Sequence, residues 1–159
     1  MPQLAKGGKY VYGWSIVHPI GKILIPKEAY DEYRFNEFDK IILLAGNSTS
    51  GGFGIAKVNQ LKKGPFKEIL NFLNYTEEED SFKIPELKLM KYKNKRYFCW
   101  SRLKKDGYFI LSPEILNVYG VKIGEKVLVV KGSGRALSFI IRGPIIKAAR
   151  MHPELKIFK

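Results

Sequence analysis

Apolar and polar positions along the chain run twice through the same order of elements. "KYVYGWSIV" from Lys9 is dense in β-branched and aromatic residues and predicts a strand. "HPIG" punctuates it with a turn. "KILIP" is a second short strand, ended by Pro26, which has no N–H to donate to a ladder. "KEAYDEYRF" directs Ala29, Tyr30 and Tyr33 to a core and Lys27, Asp31 and Arg34 to water, the spacing of one or two helical turns. "KIILLA" and "FGIAKV" are strands three and four, with "GNSTSGG" between them. "GPFKEILNFLNY" from Gly64 predicts a closing helix, with proline near its first position.

The second round is "RYFCWSRL", "GYFIL", "SPEILNVYG", "KVLVVK", "GSGRA" and "LSFIIRG". Its helix signals are stronger: Ser112 suits the cap, Pro113 the first position and Gly120 the exit. "GPIIKAARMHPEL" from Gly143 echoes the first closing helix, with a register shift of seven. Elsewhere the two rounds align without a gap at an offset of 86. Trp14 meets Trp100, Ser15 meets Ser101, Gly21 meets Gly107, Glu28 meets Glu114, Tyr33 meets Tyr119 and Gly46 meets Gly132. Both tryptophans of the chain thus fall on equivalent positions, which predicts an internal duplication of one supersecondary unit. The boundaries are a first repeat at 1–75, an acidic linker at 76–88 ("TEEEDSFKIPE" and its flank) and a second repeat at 89–159. Four short strands leave open edges and too little core. The expectation is therefore a mainly β fold with short helices, in which the two repeats interleave into one pseudo-two-fold barrel.

"GKILIPKEAYDEYRFNEFDKIILL" from Gly21 resembles the AbrB/SpoVT/MazE swapped-hairpin family. The resemblance rests on Gly21, Ile25-Pro26, Lys27-Glu28 and Asp39-Lys40. In the second copy it rests on Gly107, Leu111-Ser112-Pro113-Glu114, Gly120 and Gly124-Glu125-Lys126, where proline falls one residue later. It covers roughly residues 12–58 and 98–142. It implies a swapped-hairpin, cradle-loop-type barrel, present as a pseudo-dimeric monomer or as a homodimer, and a non-enzymatic DNA-binding transcriptional regulator. It also implies that basic side chains on the first hairpin and beside the short helix meet DNA. The matching positions are Lys22, Lys27 and Arg34, and then Arg102, Lys104, Lys105 and Lys122. The copies are unequal: "SIVHPIG" offers one histidine where "SRLKKDG" offers an arginine and two lysines. A symmetric reader of DNA needs cations at both hairpins.

Charge agrees with a polyanionic partner. The formal net charge is +13. Residues 91–159 hold 16 basic and 4 acidic side chains, whereas residues 1–75 hold 10 and 6. Such a bias favours DNA or another polyanion, and by itself does not separate DNA from RNA. With 45% hydrophobic residues the chain can bury a core, and no apolar run reaches 18 residues, so no membrane span is expected. The start of the chain lacks the apolar stretch of a signal peptide, which predicts a cytoplasmic protein.

The paired glycine loops carry a second reading. Ser48, Ser50, Gly51 and Gly52 in the first, and Gly132, Ser133, Gly134 and Arg135 in the second, could cradle an anion on free N–H groups. That makes the chain a barrel for a small anionic effector. A third reading is an antitoxin-like or structural module that binds a protein through "GPFKEILNFLNY" or the C-terminal tail.

Catalysis and metal binding have no support in the spacing. His18 and His152 each precede a proline and match no triad or zinc pattern, and Cys99 has no cysteine partner. Glu28 and Glu114 suit helix N-terminal electrostatics, and "EEED" at Glu77–Asp80 reads as solvated. No enzyme activity, cofactor or metal is expected.

Overall fold

Period-two alternation sorts each strand's side chains between two buried faces. In β3 (Lys40–Ala45), Ile41 and Leu43 enter the central core while Ile42 enters a second cluster on the other side. A strand covered on both faces must be apolar throughout, which is why "KIILLA" lacks polar alternation. The structure, a computed structural model, describes residues 8–93, 96–132 and 136–159.

The fold is mainly β with short helices. The first half contributes β1 (Val11–Ile16), β2 (Lys22–Leu24), α1 (Lys27–Glu32), β3, β4 (Phe53–Lys57), α2 (Val58–Leu61) and α3 (Glu68–Phe72). The segment between the halves forms a small hairpin, β5 (Tyr75–Thr76) and β6 (Ser81–Phe82), followed by β7 (Met90–Tyr92). The second half contributes β8 (Arg96–Arg102), β9 (Tyr108–Ile110), α4 (Pro113–Tyr119), β10 (Lys126–Lys131), β11 (Leu137–Ile140), α5 (Pro144–Arg150) and β12 (Ile157–Phe158).

Pairing alternates between the halves. β1 pairs with β10, β8 with β3, β2 with β9 and β4 with β11, all antiparallel. Each of these pairs joins a strand of one half to a strand of the other. The main sheet runs β12-β1-β10-β11-β4-β3-β8-β7, and β2-β9 forms a separate ribbon. Among the described residues this sheet is open rather than the expected closed barrel. Its edges are taken by two short strands from the start and end of the second repeat: β12, parallel to β1, and β7, antiparallel to β8.

The backbone repeats with the sequence. Ile20 and Asp106 both have φ 66°, Gly21 and Gly107 have 80° and 81°, Arg34 and Gly120 have 58° and 71°, and Phe38 and Gly124 have 64° and 90°. Each pair is separated by 86 residues. Hydrogen bonds repeat too: the Val17 N–H donates to the Glu125 carbonyl and, equivalently, Leu103 to Asp39, at 2.9 and 2.8 Å.

The central core lies between the sheet, the ribbon and helices α1 and α4. Phe53 stacks on Phe139, centroids 5.0 Å apart, and Phe109 meets Phe53 edge-on. Removing one such fully buried ring costs about 3–5 kcal/mol. The outer face of the sheet is covered twice. Trp14, Leu128 and Ile140 lie in a cluster with Ile146 and Ala149 of α5, and Trp100, Phe98 and Ile42 in one with residues of α2 and α3. The acidic 76–88 segment joins the halves and also packs: Phe82 stacks on Trp100, whose indole N–H donates to the Ile84 carbonyl. The closing helix expected from Gly64 shortens to the five residues of α3.

Candidate nucleic-acid interface

The Pro19–Gly21 and Lys105–Gly107 segments are tight turns, with Ile20 and Asp106 at positive φ, that lead into β2 and β9. Because β2 and β9 pair, with Ile23 opposite Phe109, the two hairpins are joined through one ribbon. Ile23 and Phe109 are buried, so the ribbon's other face presents Lys22, Leu24, Tyr108 and Ile110.

The predicted basic residues divide by what they touch. Lys22 lies over the Tyr108 ring, 4.1 Å from its centroid. Lys27 is paired with Asp31 at 3.1 Å, one helical turn away. Arg34 is exposed at the exit of α1, and its carbonyl accepts from the Lys57 ammonium. Arg102, Lys104, Lys105 and Lys122 are exposed and, among the described residues, make no ion pair. The Arg102 N–H donates to Glu86, which also accepts from the Ser101 hydroxyl.

The second hairpin, which carries Arg102, Lys104 and Lys105, is not surrounded by cations alone. Gly107 packs beside the Tyr30 ring. Burial raises the Tyr30 hydroxyl above its ordinary range, and the charges of Glu37, Asp39, Asp31 and Asp106 push it the same way. Four carboxylates thus share the neighbourhood of these cations.

The first hairpin receives its cations from the other half. The Gly124 N–H donates to the Val17 carbonyl at 2.8 Å, and the Val17 N–H donates to the Glu125 carbonyl. This places the Lys122–Lys126 segment against the start of the first turn. A groove of about 380 Å³ opens there, lined by Lys122, Lys126 and Arg150 with Trp14 as an apolar wall. Lys126 sits 4.5 Å from the Trp14 ring centroid. None of the three cations makes an ion pair among the described residues, and Glu125 is the one carboxylate in the lining. Lys126 and Arg150 were not among the predicted residues. They lie on β10 and α5, and no local pattern in the sequence links them to the hairpin of the other repeat.

The first glycine loop spends its groups internally. The Ser50 N–H donates to the Asn47 side chain and the Gly51 N–H to the Asn47 carbonyl, at 2.8 and 2.9 Å. The Arg142 guanidinium donates to the Ser48 carbonyl at 3.0 Å. Glycine at 52 answers a steric need, since a Cβ there would stand 1.9 Å from the Phe139 carbonyl oxygen. Gly132 likewise donates to the Ala136 carbonyl. Ser133, Gly134 and Arg135 lie outside the described residues.

Other candidate groups have ordinary partners. Glu28 accepts from the Tyr10 hydroxyl, Glu77 pairs with Lys62, and Asp80 accepts from Tyr75. His152 pairs with Glu154 at 2.8 Å. Among the described residues no group of three His, Cys, Asp or Glu could hold a metal ion, and no helix is long and apolar enough to cross a membrane. Compared with protein-family models, with curated proteins and with solved structures, the chain matches none.

Proposed function

We propose that this protein is a non-enzymatic DNA-binding regulator of the swapped-hairpin type, in which two fused repeats do what two chains otherwise do. The cross-pairing of β1 with β10 and of β3 with β8 supports this reading. One observation carries it: cations without an ion pair, among the described residues, gather at both hairpins rather than at the second alone. Arg102, Lys104 and Lys105 belong to one hairpin, and Lys122, Lys126 and Arg150 border the other. Phosphate contacts from these groups give affinity with little sequence information, and Arg102 is the group whose fork suits a guanine edge.

The test is fluorescence anisotropy with a labelled random duplex across salt concentrations. Log K should fall linearly with log salt, at about −0.9 per phosphate neutralised. Changing Arg102, Lys104 and Lys105 to Gln, and separately Lys122, Lys126 and Arg150 to Gln, should each flatten that slope by about 2–3. Absence of binding at low salt would sink the reading. An unchanged slope in both variants would dismiss these sites, and preference for single-stranded RNA would replace DNA as the partner.

A further inference from the structure

The two repeats differ at one buried position in a way that opens a cavity. In the second half, Ile140 of β11 fills the space beneath α5, against Ile146. The equivalent ladder position of the first half is Ala56 of β4: Ile140 pairs with Leu128, and Ala56 pairs with Ile42, 86 residues before Leu128. With Gly54 and Ala136 beside it, the floor there has little side-chain volume. A cavity of about 530 Å³ results, walled by Leu44 and Ile42 from the sheet and by Leu61 and Phe66 from the α2–α3 side. That volume is in the range of small-molecule sites, which are mostly apolar with a few placed polar groups.

Arg96 supplies such a group. Its side chain is partly buried at the cavity, with the guanidinium 5.2 Å from the Phe66 ring centroid. Nε and Nη2 both donate to one acceptor, the Ala45 carbonyl. Among the described residues no carboxylate lies within ion-pair distance of it. Partly buried charges are normally paired, because desolvation of an unpaired ion is costly. Burial accordingly lowers the Arg96 pKa. A planar fork with donors to spare, set beside an apolar chamber, complements a carboxylate.

We infer that the cavity between β3–β4 and α2–α3 binds a small organic acid, with its carboxylate on Arg96 and its apolar body over Gly54 and Ala56. The site shares no lining residue with the basic groove and does not depend on the DNA reading.

The test is a ¹H–¹⁵N NMR titration of the full chain with naphthalene-1-acetate and 4-phenylbutyrate, each compared with its uncharged amide. The acids should shift the Gly54, Ala56 and Gly64 amides saturably, with Kd about 1 mM or tighter, and bind about tenfold better than the amides. Arg96→Gln should bring each acid down to the level of its amide. Gly54→Leu should abolish binding of both, since Gly54 lines the cavity and the new side chain occupies it. Gly54→Ala is the milder plug: its Cβ meets only Ala136 and Leu137, at 3.6 Å, so the fold is kept while binding weakens. Equal binding of acid and amide to the wild type would overturn the inference. So would unaltered binding in both Gly54 variants, or no saturable shift with any probe up to about 5 mM.

Discussion

Lys22 and Tyr108 are equivalent residues of the two repeats, and they touch: the Lys22 ammonium lies 4.1 Å from the centre of the Tyr108 ring. The contact crosses the ribbon that joins the halves, where Leu24 pairs with Tyr108 and Lys22 with Ile110. The Tyr108 hydroxyl is fixed in turn by donating to the Lys159 carbonyl at 3.0 Å. A cation on an aromatic face at a partly exposed site contributes about 0.5–1 kcal/mol. Lys22→Ala should therefore lower stability by about that amount, and a double-mutant cycle with Tyr108→Leu should return it as coupling. Because this lysine is already engaged, its loss should flatten the salt slope of DNA binding less than loss of Lys104 does. A larger effect of Lys22→Ala on that slope than of Lys104→Ala would make the stacking incidental.

The exit of α4 uses Gly120 at φ 71°, whereas the exit of α1 uses Arg34 at φ 58°. A side chain in the left-handed region costs roughly 1–2 kcal/mol, which glycine avoids. The Arg34 side chain is exposed, and its carbonyl, which holds Lys57, is retained in any substitution. Arg34→Gly should stabilise the chain by up to about 1 kcal/mol after glycine's greater unfolded-state entropy is counted. The reciprocal Gly120→Ala should destabilise it by about 1–2 kcal/mol, since its Cβ also meets Ile141 at 3.1 Å. Urea midpoints of the two variants decide the matter. Destabilisation by Arg34→Gly would show that the arginine side chain contributes more than its backbone costs.

Much of this fold was legible because it is local. Ser112, Pro113 and Gly120 each stand where capping chemistry puts them, with the Ser112 hydroxyl accepting from the Ile115 N–H. The repeat was legible through Trp14 and Trp100, which prove to anchor two separate outer clusters. What the sequence hid is non-local. β12 is two residues long and has no period of its own, and it exists because Trp14 donates to the Lys156 carbonyl. β7 and the β5–β6 hairpin fall in or beside a stretch whose charge reads as solvated, yet Phe82 and Ile84 are held there by Trp100. At the candidate interface, Lys122 was legible, but its meeting with the first hairpin rests on the Gly124–Val17 hydrogen bond across repeats. The Arg96 cavity is visible only once the ladders set Ala56 against Ile140 as equivalent positions, which the constant offset of 86 does not do.

Six tyrosine hydroxyls are held above their ordinary range, by burial and by hydrogen bonds to carboxylates, and three of them govern the onset of alkaline destabilisation. Tyr33 and Tyr75 are pushed up to about 12, both chiefly by burial and Tyr75 also by donating to Asp80. Tyr10 rises to about 12 chiefly through its hydrogen bond to Glu28. Each folded-state value lies above the ordinary 10.0, so folding favours the protonated hydroxyl. The stability they add is fully present below pH 10 and is lost as pH rises through about 12. Urea midpoints should hold steady to about pH 10 and then fall, with a shallower fall in Tyr75→Phe. A midpoint unchanged from about pH 9 to pH 11.5 would mean that these hydroxyls titrate alike in both states.

Cys99 lies in the central core, on β8 opposite Leu43 of β3, and is fully buried. Burial pushes its thiol up to about 12, while a hydrogen bond with Tyr119 acts in the other direction. The thiolate is the reactive form, so near neutral pH the site lacks both access and nucleophile. Alkylation by iodoacetamide should therefore proceed only through opening of the β3–β8 ladder, at a rate set by the population of that open state. In mass-spectrometric pulse labelling, the native chain should stay unmodified on a timescale that fully labels the urea-unfolded chain. Adding urea below the midpoint should raise the rate in step with the measured unfolding equilibrium. Labelling that is fast in the native protein and insensitive to urea would place Cys99 at a surface, and the interleaved pairing of β8 with β3 would have to be redrawn.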